Sequence, residues 1–184
     1  MDTHQQATAI SSELDRFIRL HDGMADMNRS WLDLAPADRL DWVLSDDAIH
    51  RFGDGKTPFT IRNLFIHVAV AEHVWIGALA AASANDVMPS PSNKDLSRRL
   101  AEGDLVAEAA ALHTDTLAII RGLTQADLDK PIVAARRQWS GMEFLWGVHA
   151  HRAFHLGHLD IYLRLNDRAT PEFFVYHPDI IDPS

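Results

Sequence analysis

A chain of 184 residues, 47% hydrophobic and 23% charged, has the balance of an ordinary globular protein and is long enough to bury one core without covalent staples. Its formal net charge of −9 comes with no basic stripe of the kind that phosphate binding needs, which excludes nucleic acid as a partner. There is no cysteine, so disulfides, thiolate ligands and a cysteine nucleophile are all unavailable; any thiol must come from a substrate.

The first twenty residues lack the basic and apolar regions of a secretory signal, and no run of about 18 uncharged apolar residues is present. The expectation is a cytoplasmic protein with no membrane partner. Apolar periodicity predicts four long helices, at about residues 5–31, 59–84, 95–121 and 141–166, each roughly 35–40 Å long. A short helix at 37–44, introduced by Pro36, is expected inside the first connection. The breaks are a loop at 51–58 with two glycines and a proline, a proline-broken loop at 88–93, and a non-helical tail at 167–184. Ser140, three residues before Glu143, reads as a capping box opening the fourth helix. Strand is expected to be negligible, at most a short hairpin within 131–139. The reading is a single all-α domain spanning 1–184, a four-helix bundle.

The fourth helix carries the unusual stretch HAHRAFHLGHLD, in which four histidines fall within ten residues. At about 100° per residue, His151, His155 and His158 share an arc of roughly 60°, while His149 points to nearly the opposite side. Phe154, Leu159, Tyr162 and Leu165 flank that arc, which makes it the core-facing stripe; Asp160 and Arg164 lie behind. Buried imidazoles are costly unless their ring nitrogens are satisfied by a hydrogen bond or a metal. Two at i, i+4 converge on one point, a recurrent way to chelate a transition metal.

A third ligand has to come from another helix, and the second supplies His67, in line with the apolar Val70, Ala71, Val74 and Ala78. Glu72 and His73 turn to the flanks, toward solvent or a neighbouring helix. His4, His21, His50, His113, His149 and His177 have no partner spacing and read as structural or surface groups. Arg152 stands where the zincin motif needs glutamate, which excludes metalloprotease chemistry. No Glu-x-x-His occurs, which excludes the di-iron carboxylate pattern. What remains is a mononuclear site with three neutral nitrogen ligands, suited to zinc, nickel or iron alike.

The pairing of IRNLFIHVAVAEHVW with HRAFHLGH and the following LDIYLRL resembles the DinB-like superfamily of metal-binding four-helix bundles. That resemblance implies an up-down-down-up bundle whose second and third helices are parallel, joined by a long crossover. It implies a divalent metal held by His67, His151 and His155, and a homodimer. Characterised relatives include thiol-dependent transferases and an isomerase that use bacillithiol, mycothiol or glutathione.

The family's usual glutamine is here His158, which reads either as a hydrogen-bond partner or as a fourth ligand or general base. Leu156 stands where relatives often carry a basic residue. Tyr162 and Glu72 are further candidates for contact with a ligand. Arg136 and Arg137 could hold an anionic substrate, and the loop 51–58 and the tail segment EFFVYH could wall a pocket.

The expected function is metal-dependent transfer of a low-molecular-weight thiol to a small electrophile, or its isomerisation or hydrolysis. The alternative is a non-catalytic helical stress protein, dimeric, with or without metal.

Overall fold

The computed structural model describes residues 3–45, 51–52 and 56–170, with side chains from residue 13 onward. His4, His50, His177, residues 53–55 of the glycine loop and the segment EFFVYH lie outside the described residues or side chains. Six α-helices and one hairpin follow in order: α1 Thr3–Leu32, α2 Ile61–Ala81, α3 Lys94–Glu102, α4 Leu105–Arg121, α5 Gln125–Asp129, β1 Pro131–Ala134, β2 Arg137–Ser140 and α6 Gly141–Arg164. The expected short helix at 37–44 is instead a single 3-10 turn, Ala37–Arg39, with no side-chain cap to extend it.

Each helix after the first starts on a side-chain cap that satisfies otherwise orphaned N–H groups. Thr60, Asn93, Asp104, Thr124 and Ser140 all serve in this way. The box of Ser140 and Glu143 is closed in both directions. The expected continuous third helix is broken, and the cause is local. Gly103 adopts an extended backbone, and Asp104 then accepts from Val106 and Ala107 N–H at 3.1 Å each, restarting the chain as α4. Leu100 and Leu105 enter the core on either side of the break.

The bundle proper is α1, α2, α4 and α6. Its directions follow from which ends share a cluster. Ile61, Leu64 and Phe65 at the start of α2 pack with Leu105, Ala109 and Leu112 at the start of α4, and with Leu156, Leu159 and Leu163 at the end of α6. Ile76 and Leu79 pack with Leu117, Ile120, Leu145 and Val148 at the other end. So α2 and α4 are parallel and α6 is antiparallel to both. α1 runs with α6, since Phe17 and Trp146 meet at one level and Asn28 and Arg152 at another. This is the up-down-down-up arrangement, with residues 82–104 as the crossover.

By length and composition alone α2 is apolar enough to cross a membrane, with mean hydropathy 1.7, a test that the core helix of a bundle also passes. In the bundle it is the central helix, packed against α1, α3, α4 and α6.

The hairpin β1–β2 pairs Pro131 with Ser140 through Ala134 with Arg137. It is stitched to the crossover: Asn85 N–H donates to Pro131 O, Val133 N–H to Asp86 O, and Met88 N–H to Val133 O. Gly141 opens α6 against the backbone carbonyl of Asp127, so close that a Cβ there has no room.

The two-residue turn places both Ala135 (φ 49) and Arg136 (φ 61) in the left-handed region. That is the twist a tight hairpin wants, met without the Asn-Gly pair that adopts it at little cost. The double substitution Ala135→Asn with Arg136→Gly is therefore expected to stabilise the fold by about 1 kcal/mol, read as a higher urea midpoint at unchanged slope.

Candidate metal centre

α2 and α6 cross with His67 facing His151, their Nε2 atoms 3.2 Å apart. His155, one turn on from His151, completes a triangle: ligand nitrogens of His67, His151 and His155 all lie within 4.8 Å of one another. Two nitrogens at tetrahedral angles on a metal bound at 2.0–2.1 Å would be about 3.3 Å apart, close to the spacing of the first pair. His155 is buried, His67 and His151 half-buried.

The electrostatics point the same way. Burial, and then the charge of His151, lowers the His67 pKa to about 4. Burial, followed by His151, His67 and His158, lowers that of His155 to about 3. Burial also lowers that of His151. Among the described residues no carboxylate belongs to the group, and Nδ1 of both His151 and His155 is buried with no hydrogen-bond partner. Three convergent neutral imidazoles fit a borderline transition metal, and do not fit the oxygen-seeking calcium or magnesium.

His158 stands outside this triangle. Its ring centroid is 5.3 Å from that of His155, stacked on Phe59 and edge-on to Phe154. Phe154 and Leu165 flank the arc as expected, but on its outer side, 64% and 49% exposed. The tyrosine ring of Tyr162 is buried edge-on to Trp42, and its hydroxyl has no partner. The loop supplies Phe52, 4.7 Å ring to ring from His67, so part of the expected wall is present. Arg136 occupies the hairpin turn, and Arg137 lies over the ring of Trp139, 5.0 Å from its centroid.

Sequence reasoning missed the neighbouring polar layer. Glu72, expected on a flank, is 1% exposed. Both its carboxylate oxygens accept from the buried Arg152, Nε at 2.6 Å and Nη2 on the other oxygen, while Arg152 Nη1 donates to Asn28 at 2.9 Å. His21 Nε2 lies 3.4 Å from Glu72. His113, also buried, donates to Asp22 at 3.0 Å. Burial alone would raise the Glu72 pKa, but Arg152 and His21 more than offset it and hold the carboxyl far below the usual range.

His149 does point away from the three histidines, yet into the bundle, against Phe17, His21 and Trp146. His73 reaches a neighbouring helix: Thr116 gives its only proton to Leu112 O, so His73 Nδ1 donates to Thr116 at 3.0 Å. His21, Glu72 and His113 are also close enough to share an ion. The guanidinium on both oxygens of Glu72 makes that group an ion-pair network, since a second cation there would face Arg152.

The sequence model of the DinB superfamily matches residues 20–159. This chain belongs to the DinB superfamily. Two solved structures share the fold. One is the DinB-like protein YjoA of Bacillus subtilis, 18% identical, covering 86% of this chain and 96% of its own, with a TM-score of 0.63. The other is YfiT of Bacillus subtilis, a probable metal-dependent hydrolase with an unusual four-helix bundle topology. It is 14% identical and covers 92% of this chain and 91% of its own, with a TM-score of 0.60. No curated protein matches the chain.

Two predictions follow from this geometry. Arg152→Met strands a buried carboxylate and should cost about 3–5 kcal/mol in urea unfolding, most of it recovered in the double variant with Glu72→Gln. The lowered pKa values of His67 and His155 mean that the unfolded chain takes up protons near pH 6.5 that the folded chain refuses until about 4 and about 3. With a chelator present, their contribution to stability is thus lost as pH falls below 6.5 toward those values. The melting temperature should drop over that window, and less steeply in His67→Ala and His155→Ala.

Proposed function

We propose that this protein is a divalent-metal-dependent enzyme in which His67, His151 and His155 are the ligands. The reaction is transfer of a low-molecular-weight thiol to a small electrophilic substrate. The observation that supports the reading is the convergence of three imidazoles, their nitrogens within 4.8 Å of one another, with no carboxylate in the group among the described residues. A metal bound there keeps its positive charge and supplies Lewis acidity that lowers the pKa of a thiol or a water.

The chain's own residues do the rest. Phe52 and Phe59 line the approach to His67 and His158 and keep bulk water from the centre. Glu72 is fully engaged by Arg152 and does not act as a general base. Hydrolysis wants such a base, whereas thiol attack proceeds without one; this favours the thiol reading over the hydrolase that YfiT is described as. His158 borders the centre as part of its aromatic wall, not as a fourth ligand. Phe154, Ile161 and Leu165, exposed along one side of α6, are the face through which the protein pairs as a homodimer in the cytoplasm.

Elemental analysis of purified protein tests the ligand set: about one metal per chain is expected in the wild type and in His158→Gln, and little in His67→Ala or His155→Ala. Equal, substoichiometric metal in all four proteins overturns it. Metal-dependent consumption of 1-chloro-2,4-dinitrobenzene with glutathione or cysteine as the thiol tests turnover. Stoichiometric metal with no rate for any thiol selects the non-catalytic metal-binding alternative.

A further inference from the structure

Two cavities of about 370 Å³ each border the three-histidine centre. One reaches His67 and is edged by hydroxyl and amide side chains, among them Asn63, Ser92 and Ser97. The other reaches His151 and is walled by Trp75, Trp139, Phe144 and Met88. Ser90 and Pro91 border both, so the strap between α2 and α3 is the partition.

The apolar chamber is built, not left over. Trp75 stands edge-on to His151 (5.0 Å, 79°) and to Phe144 (6.2 Å, 76°). Its indole N–H donates to Pro89 O at 3.1 Å, and that of Trp139 to Ala134 O at 3.0 Å. Both indoles thereby spend their polar atoms on the backbone, leaving hydrocarbon faces for an occupant. The strap and hairpin that carry these walls are tied to each other by backbone hydrogen bonds, so the chamber exists without a ligand. Gly147, one turn before His151, contributes no side chain to the floor. A volume of about 370 Å³ lies within the range of small-molecule sites, about 300–1,000 Å³.

We infer that this chamber binds a flat, uncharged aromatic group of one or two rings on the electrophilic substrate, holding the reacting carbon toward His151. The chamber on the His67 side, where Asn63, Ser92 and Ser97 stand among apolar groups such as Phe52 and Val70, is left to the thiol. This rests on the three-histidine centre being where reaction occurs, and it adds which substrate class is selected.

Gly147 offers a clean test. A Cβ built there meets nothing nearer than 3.7 Å, from the ring of Trp139, and larger side chains would project into the chamber. The probe is 1-naphthol, measured by calorimetry and by tryptophan quenching on wild type, Gly147→Ala, Gly147→Leu and His155→Ala. Saturable one-to-one binding is expected in the wild type, in Gly147→Ala and, within about twofold, in His155→Ala. Gly147→Leu should weaken it by roughly tenfold or more while keeping its helical circular dichroism. No saturable binding to the wild type, or equal binding to Gly147→Leu, overturns the inference. If Gly147→Leu does not fold, displacement of 1-naphthol by cyclohexanol as readily as by phenol overturns it instead. Because binding is read without turnover, naphthol binding alongside absent metal sinks the proposed reaction and spares the chamber. Stoichiometric metal without naphthol binding does the reverse.

Discussion

The bidentate pair between Glu72 and Arg152 fixes the relation of α2 to α6, and the candidate centre depends on that relation. Both groups are buried, so each is tolerable only in the presence of the other. Arg152 follows His151 directly in the chain, and Glu72 lies five residues after His67. Locking one pair of neighbours therefore sets the register of the other, and brings His67 and His151 within 3.2 Å. A sliding of α6 by one residue would break the ion pair and disperse the imidazoles together.

The same layer separates two chemistries along the bundle. Below and above it lie purely apolar clusters that supply the stabilising burial. Beside it the imidazoles border two cavities, one walled by indoles and the other by hydroxyl and amide groups set among apolar ones. The centre is therefore reached from outside through side chains of the crossover, the hairpin and the glycine loop, while the helices hold the three imidazoles. That division places precision on the rigid elements and selectivity on the connections.

Much of this was legible in the sequence. Periodicity gave four helices because each buries a stripe, and the i, i+4 spacing of His151 and His155 placed both on one face whatever the rest of the fold did. Ser140 and Glu143 announced the start of α6 because a capping box is a local device. The break before α4 was marked only by Gly103 and Asp104 and by the five-residue step from Leu100 to Leu105, where a continuous helix repeats at three or four. Arg152 was unreadable for a different reason: arginine is ordinarily exposed, and its burial is decided by Glu72, eighty residues away. The apolar chamber was equally invisible, since Trp75, Met88 and Trp139 are brought together only by the crossover folding over the hairpin. The membrane-like hydropathy of α2 misleads in the opposite direction, because a helix surrounded by four others is as apolar as one surrounded by lipid.

The membership of the polar layer has a kinetic meaning. His21 comes from α1, Glu72 from α2, His113 from α4 and Arg152 from α6, so no pair or trio of helices can close it. Any assembly that leaves out α6 buries Glu72 without its guanidinium, and any that leaves out α2 does the same to Arg152. Half-formed bundles are thus penalised by desolvated charge. In hydrogen exchange such a molecule would show one common opening for the middle turns of all four helices, with the centre's three histidines released by the same event.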